Sequence, residues 1–339
     1  MKNSSFSSVV CGLATAGLLC GASSLFAAET CDAAKTFVGR WALTLPGGGA
    51  GWLGVEQQSC GALKGALLWG GGSVMPVAET KVENGALVVV RKHNAKKDGK
   101  DVQNTETITA KLDGDKLALT TRTVNSEGKE IGKGEFSGKK IPDLPPKPDL
   151  AKVKFGAPIP LLNGKDMAGW KAMNAKAPNC WSVADGMLSN RVKGPDGKNQ
   201  HGTNIRTEQE FEDFNLKTEV RVPKGGNSGM YLRGIYEVQV AETYGRPVDS
   251  HNMGALYSRI TPSVAAEKPA GEWQTVDITL VDRHLTVILN GKTIIDNQPV
   301  LGCTGGAMTS DEFKPGPIYL QGDHTDVDYR NMVLTPVVK

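Results

Sequence analysis

The chain has 339 residues, of which 39% are hydrophobic and 6% aromatic, and this is enough for two domains with separate cores. Its 39 basic and 36 acidic side chains leave a net charge of +3 without a basic stripe. The composition therefore argues against nucleic acid as a partner.

The N-terminus has the pattern of an export signal. Lys2 precedes an apolar segment at 9–19, and the small residues Ala27 and Ala28 precede Glu29. We predict that residues 1–28 form a signal peptide and that the protein is periplasmic or secreted. The apolar segment is too short and too often interrupted to span a membrane, so the mature protein is predicted to have no membrane span.

Residues 29–140 contain short strand patterns at 37–45, 82–90, 105–112 and 116–123. Asn84-Gly85 and Asp113-Gly114 are hairpin signals, and this spacing predicts a small antiparallel β-barrel or meander. The glycine run at 70–72 lacks the Lys-Ser/Thr of a phosphate-binding loop. Trp52 and Trp69 lie beside glycine-rich loops and either stack on a sugar ring or pack in a core.

A proline-rich linker at 141–150 follows, with four prolines between positions 142 and 148. Proline fixes φ and removes a hydrogen-bond donor, which favours a stiff extended connector. We predict that it separates two independently folding units, the second at 151–339.

The second unit is again rich in strand patterns. Apolar residues alternate with polar ones at 214–222, strands are indicated at 273–280 and 285–289, and Asn290-Gly291 forms a turn. Since no long amphipathic helix interrupts these strands, the fold class is all-β, and the second unit is predicted to be a jelly-roll β-sandwich.

Signal removal leaves Cys31, Cys60, Cys180 and Cys303, which are widely spaced and contain no CxxC pair. This spacing argues against zinc, and an oxidising compartment favours disulfides. Two cysteines lie on each side of the linker, so we predict the pairs Cys31–Cys60 and Cys180–Cys303.

The stretch at 225–240 is the strongest candidate for a site. In an extended strand Tyr236, Val238 and Val240 share one face, and Glu237 and Gln239 share the other. Arg233 joins Glu237 and Gln239 if no turn intervenes at Gly234. Such a polar face either binds a polyol through directional hydrogen bonds or is simply the solvated side of a sheet.

An ordered set of motifs in the second unit resembles the 3-keto-disaccharide hydrolase family, whose fold is a concanavalin-like jelly roll. The motifs lie at 160–170, 181–188, 213–214, 226–229, 236–239, 254–257, 269–273 and 317–321. The resemblance covers the second unit and leaves the first one uncovered. It implies a carbohydrate partner, namely a glycoside already oxidised to a ketone at C3. The implied reaction is removal of the C2 proton, elimination at C1 and hydration, with net hydrolysis.

The same resemblance implies site residues. Glu237 would be the base or a metal-binding carboxylate, Arg233 would stabilise enolate charge, and His324 would complete the catalytic set. Contacts to substrate are implied for Gln239, Asn227, Arg206, Tyr257 and Gln321. The family's Leu-Gln motif is followed closely by His, whereas Gly322 and Asp323 separate Gln321 from His324 here. One divalent metal held by Glu237 and His324 is a further hypothesis.

Other interpretations of these residues remain open. Glu237 could be an exposed strand residue, His324 could cap a turn, and His201, His251 and His284 could be solvated loop residues. His251 precedes the motif at 254–257 and could instead line the cleft. The whole second unit could also be a non-catalytic carbohydrate-binding module of the concanavalin-like type, because fold does not fix function. A base and an acid that converge in one deep pocket would favour the enzyme, whereas a shallow aromatic platform would favour the binding module.

Overall fold

The computed structural model describes residues 34–97, 99–194 and 196–338. Within them nearly all of the regular secondary structure is β-strand, with two short 3-10 helices at Ser59–Gly61 and Leu150–Lys152, which confirms the predicted all-β class. The signal peptide and Cys31 lie outside the described residues. Among the residues that are described, no helix has the length and apolar character needed to cross a membrane.

The first nine strands form one antiparallel sheet in the order β4-β3-β2-β1-β9-β8-β7-β6-β5. They are β1 Gly39–Thr44, β2 Ala50–Gln57, β3 Leu63–Trp69, β4 Met75–Pro76, β5 Glu79–Glu83, β6 Ala86–Lys97, β7 Lys100–Asp113, β8 Lys116–Val124 and β9 Glu130–Ile141. The sheet curls until β5 lies against β3, where a Cβ on Gly65 would clash with Thr80. Its interior is filled by side chains such as Trp41, Leu43, Leu87 and Ile108. We call this part the barrel, in agreement with the predicted barrel or meander.

The predicted turns are present, with one refinement of the predicted strands. Asn84 (φ 51°) and Gly85 (φ 73°) join β5 to β6, so the segment predicted at 82–90 is two strands with a turn between them. Positive φ at both turn residues matches the twist of a tight hairpin, which is why an Asn-Gly pair occurs there.

The remaining strands form two sheets. The larger has the order β12-β13-β22-β15-β18-β19-β20, with β10 also paired to β22, and the smaller has the order β11-β14-β21-β16-β17. Their bounds are β10 Ile159–Pro160, β11 Trp170–Ala172, β12 Trp181–Ala184, β13 Met187–Asn190, β14 Ile205–Thr207, β15 Phe214–Arg221, β16 Asn227–Leu232, β17 Tyr236–Ala241, β18 Gln274–Val281, β19 His284–Leu289, β20 Lys292–Pro299, β21 Tyr319–Leu320 and β22 Val327–Pro336. Leu216 and Val287 of the larger sheet pack in one apolar cluster with Met230 and Val238 of the smaller sheet. This two-sheet packing is the predicted β-sandwich.

The barrel and the sandwich share buried surface. Trp52 and Leu68 of the barrel belong to the same apolar cluster as the sandwich core, and the Arg259 guanidinium lies 4.5 Å from the centre of the Trp52 ring. Residues 142–149 of the linker form neither helix nor strand, and the linker is held against the sandwich, since Asn297 Nδ2 donates to Pro148 O at 2.9 Å. Truncation at the linker would therefore expose apolar surface.

The predicted Cys180–Cys303 disulfide is wrong, because both thiols are free. Cys303 is buried against the barrel, with Sγ 3.8 Å from Gly51 O, and burial raises the pKa of its thiol to about 12. Cys180 instead lies beside Gly202. Burial, with a smaller contribution from the charge of Asp326, raises the pKa of the Cys180 thiol. The Cys31–Cys60 pair involves a residue outside the described part of the chain and stays a prediction.

Candidate active site

The hairpin formed by β16 and β17 builds the floor of the site. Tyr236, Val238 and Val240 are fully buried in the sandwich core, and Glu237 and Gln239 point to the opposite side, where they line a pocket. The predicted division of this strand into an apolar and a polar face is confirmed.

Arg233 does not join that polar face, because a turn does intervene at Gly234. Arg233 (φ 55°) and Gly234 (φ 69°) both have positive φ at the end of the hairpin. The guanidinium of Arg233 is buried and donates to two backbone carbonyls, those of Glu312 (2.8 Å) and Lys314. It fastens the 312–314 loop to the hairpin and does not line the pocket that contains Glu237.

The pocket has a volume of about 350 Å³, within the range of about 300 to 1,000 Å³ for small-molecule sites. Of the predicted substrate and catalytic residues, it brings together Glu237, Gln239, Asn227, Tyr257, Gln321 and His324. Arg206 does not line it. Arg206 lies on β14 and forms an ion pair with Glu210, which follows that strand, with Nη1 3.7 Å from Oε1.

Glu237 is 4% exposed and lies directly opposite Tyr231 across the hairpin. A Cβ on Gly229 would clash with Glu237 Oε1, so the absence of a side chain at Gly229 makes room for the carboxyl group. Burial raises the pKa of Glu237 to about 8, against the opposing effects of a hydrogen bond with Tyr231 and the charge of His324. A carboxyl group that titrates close to neutral pH is suited to general acid–base catalysis.

His324 forms a pair with Asp323, whose Oδ1 lies 2.5 Å from His324 Nδ1. The hydrogen bond to Asp323 raises the pKa of His324, against the opposing effect of burial, and the charges of Asp323 and Glu237 raise it further. Burial disfavours the charged form of Asp323, but the hydrogen bond and charge of His324 outweigh this effect and lower the pKa of Asp323. Asp323, directly before His324 in the chain, thus supplies the carboxylate that orients the imidazole.

Two tyrosines that carried no predicted role complete the wall beside Glu237. The rings of Tyr231 and Tyr319 stack with centroids 4.2 Å apart, and Tyr231 OH donates to Gly305 O at 2.8 Å. Burial raises the pKa of both hydroxyls, so they stay neutral donors. Asn204 Nδ2 donates to Tyr319 OH at 3.0 Å and also lines the pocket. Strand alternation along 227–232, which places Asn227 and Tyr231 on one face, was the available signal for Tyr231.

The barrel also contributes to this pocket, through Gly71 and Gly72 of the loop between β3 and β4. These residues lie beside the Gly305-Gly306 segment of the sandwich. Trp52 and Trp69 do not line the pocket. Trp52 is buried in the shared core, and Trp69 packs edge-on against Phe136 with centroids 5.3 Å apart. Both tryptophans therefore pack against other side chains, which was the alternative to stacking on a sugar ring.

The described residues do not provide a complete ligand set for the divalent metal hypothesised at Glu237 and His324. Within 34–97, 99–194 and 196–338, no group of three or more His, Cys, Asp or Glu side chains is arranged to hold one metal ion. His324 Nδ1 is already paired with Asp323. A metal held by Glu237 and His324 therefore stays a prediction, and the chemistry proposed below includes no metal step.

Comparison with known proteins assigns the family. The 3-keto-alpha-glucoside-1,2-lyase-like domain matches residues 157–335, which covers the sandwich and every pocket residue except Gly71 and Gly72. The matched residues thus form a β-sandwich with a polar pocket at the β16–β17 hairpin. The chain belongs to the 3-keto-alpha-glucoside-1,2-lyase-like domain family.

Individual relatives match at lower similarity. A 3-keto-disaccharide hydrolase from Bacteroides thetaiotaomicron is 28% identical over 148 residues, covering 35% of this chain and 51% of that protein. The matched part is thus about half the length of this relative. A solved structure from Parabacteroides distasonis is 29% identical with a TM-score of 0.43, covering 57% of this chain and 91% of that one. The carbohydrate-binding module CBM66 from Bacillus subtilis is 12% identical with a TM-score of 0.33, covering 48% and 93%.

Proposed function

We propose that the protein is an exported enzyme that cleaves 3-keto-glycosides. One observation carries the proposal: a buried carboxyl group, Glu237, shares a pocket with an oriented imidazole, His324, and with the amides of Asn227, Gln239 and Gln321. The family assignment supports the substrate class, since the matching domain is named for action on 3-keto-α-glucosides.

The reaction begins with the C2–H bond, whose acidity the neighbouring C3 ketone increases. The Glu237 carboxylate takes the C2 proton, and the electron pair of that bond moves toward the ketone oxygen as an enolate. Neutral donors such as Tyr319 OH and the pocket amides are suited to stabilise the enolate charge without losing their own protons. A carboxyl group whose pKa is near 8 is a stronger base than an ordinary carboxylate once it is ionised.

Cleavage of the C1–O bond completes the elimination. The enolate electrons form a C1–C2 double bond, the C1–O bond breaks, and the imidazolium of His324 gives a proton to the departing oxygen. The hydrogen bond and charge of Asp323 favour this protonated form. Water then adds its oxygen to C1 and a proton to C2, so the net reaction is hydrolysis. Arg233 and Arg206 have no role in this scheme, because neither lines the pocket.

The pocket favours an enzyme over a carbohydrate-binding module. The aromatic rings of Tyr231 and Tyr319 are buried against each other and offer no open platform for a sugar face, whereas Glu237 and His324 converge on one cavity. A base and an acid in one cavity are the arrangement expected of the enzyme, whereas the binding module would need an open aromatic platform.

Turnover of a 3-keto-glucoside by the purified protein tests the proposal, with the unoxidised glucoside as a negative control. We expect cleavage of the ketone substrate only. Glu237→Gln should lower kcat by about 10² to 10⁴, because the amide has no basic oxygen. His324→Gln should lower it less for a substrate with a good leaving group, such as a nitrophenyl glycoside, because that group needs less help from an acid. Cleavage of both glucosides at equal rates, or full activity of Glu237→Gln, would contradict the proposal.

A further inference from the structure

The loop of the barrel at 70–74 forms one wall of the pocket, although it lies outside the matched family domain at 157–335. Gly71 and Gly72 line the cavity directly, together with the sandwich residues that carry the proposed chemistry. The barrel therefore does more than flank the sandwich, because it completes the cavity.

Polar contacts fix this loop to the sandwich at several points along its length. Gly306 N donates to Gly70 O at 3.3 Å, and Val74 N donates to Ser258 Oγ at 2.9 Å. Between them, Ser73 Oγ lies 2.9 Å from His251 Nε2. A loop that is tied on both sides of Gly71 and Gly72 is a fixed wall.

Close backbone packing, in addition to the hydrogen bonds, fixes the position of the 70–74 loop. A Cβ on Gly305 would clash with the Gly72 backbone, so these two backbones approach as only glycine permits. Gly305 in turn accepts the hydrogen bond from Tyr231 OH. The contacts thus run without interruption from the tyrosine beside Glu237 to the barrel loop.

His251, a solvated loop residue in one sequence interpretation, is part of this attachment. Its ring packs edge-on against Tyr257, with centroids 4.9 Å apart, and Tyr257 lines the pocket. His251 Nδ1 also lies 3.5 Å from Asp249 Oδ1. The residue that anchors the barrel loop is therefore packed against a residue of the cavity.

From these contacts we infer that the 70–74 loop determines specificity. It limits the size of the group attached to the keto sugar, so that short glycosides are preferred over longer ones. This inference rests on the proposed function for its substrate class, and the glycine wall is what distinguishes this chain's pocket from one built by the family domain alone. Gly71 is the natural position to test, because its φ is not positive and a Cβ there would meet nothing within 4 Å.

The experiment compares kcat/KM for a 3-keto-disaccharide with kcat/KM for the smaller methyl 3-keto-glucoside. Gly71→Leu should lower the disaccharide-to-methyl ratio by at least about tenfold, since a few added carbons in a pocket change discrimination by that order. Gly132→Leu is the matched control, because Gly132 lies on β9 away from the pocket and has only ordinary contacts. The control should leave the ratio unchanged. An unchanged ratio in Gly71→Leu, or an equal change in the control, would overturn the inference.

Binding separates this inference from the proposed chemistry. In a Glu237→Gln background, in which turnover is expected to be about 10² to 10⁴ times slower, calorimetry with the same two ligands should again give a disaccharide-to-methyl affinity ratio that falls on adding Gly71→Leu. If the wild type cleaves neither substrate, the proposed function fails, while the affinity ratio still decides whether the loop is a wall. An affinity ratio that does not respond to Gly71→Leu would overturn the inference even if cleavage is observed.

Discussion

Two properties of Glu237 matter for the site, namely the strand face on which its side chain lies and the pKa of its carboxyl group. Strand alternation, which is visible in the sequence, places it opposite the core-facing Tyr236 and Val238. Burial, which depends on Tyr231, Gly229 and the loops around the pocket, raises the pKa of the carboxyl group to about 8. The sequence could therefore predict the face of this side chain but not its acidity.

The raised pKa of Glu237 predicts a pH-dependent stability. Between about pH 4.5 and 8 the folded protein holds a proton on Glu237 that the unfolded chain has lost, so this group's contribution to stability is greatest below pH 4.5 and falls as the pH rises through 8. Glutamine does not titrate. The thermal midpoint of Glu237→Gln should therefore rise relative to wild type between pH 5 and pH 9, by the equivalent of at most several kcal/mol, since one pKa unit is about 1.4 kcal/mol.

Thermal melts of both proteins across this pH range make the comparison. The pKa of His324 is also raised, so its contribution falls in the same direction. The largest cause is the hydrogen bond to Asp323, which both proteins keep, and the charge of Glu237 is the smallest, so most of the His324 contribution cancels in the comparison. A difference in midpoint that stays constant with pH would mean that Glu237 is solvated and ionised in the folded state.

At the scale of the element, the β16–β17 hairpin brings the side chains of the site together. Strand alternation in the sequence predicts only some of these side chains. Its register pairs Gly229 with Gln239 and Tyr231 with Glu237, and β21 on its other side adds Tyr319. Local alternation predicted the polar face of β17, but Tyr319 reaches the site through a strand pairing between segments far apart in sequence. Arg233 was placed on the wrong side because the turn at Gly234 ends the alternation.

Gly229 tests this register directly. In most strands, replacing glycine with alanine is neutral or stabilising by about 0.5 to 1 kcal/mol, because glycine loses more conformational entropy on folding. In Gly229→Ala the new methyl group would clash with Glu237 Oε1. We expect a cost of about 1 to 3 kcal/mol from overpacking and a loss of cleavage activity, because the carboxyl group must move.

Gly132→Ala in β9 provides the control, since its Cβ would meet only Thr123 at 3.8 Å. It should keep both stability and activity. Equal behaviour of the two variants, measured by urea denaturation and by turnover, would contradict the packing of Gly229 against Glu237.

At the scale of the whole molecule, the linker prolines predicted a connector between two units, but they gave no sign of the surface that the barrel and the sandwich share. Ala42, Trp52, Leu68 and Ile141 from the barrel side pack in the sandwich cluster. Each looks like an ordinary residue of a strand, and their shared burial depends on how two separate sheets dock. The same docking places Gly71 and Gly72 in the pocket, which no local motif around residue 70 could predict.

This shared surface predicts how a fragment of residues 151–339 behaves. Its own two sheets carry most of the core, so we expect it to fold, with a lower thermal midpoint than the full chain. Exposure of the apolar surface that contacts Trp52 and Leu68 should increase the binding of a hydrophobic dye. An equal midpoint and equal dye binding would show that the two parts are independent, as the proline linker alone suggested.

The central claim is that Glu237 removes the C2 proton of a 3-keto-glycoside, and exchange of that proton measures the step directly. A 3-keto-glucoside with a poor leaving group is incubated with the protein in D₂O at pH 8, and loss of the C2–H signal is followed by NMR. Wild type and His324→Gln should both exchange the C2 proton, with His324→Gln slowed mainly at C1 cleavage. Glu237→Gln should exchange it about 10² to 10⁴ times more slowly while keeping its fold. Exchange by Glu237→Gln at the wild-type rate would contradict the account.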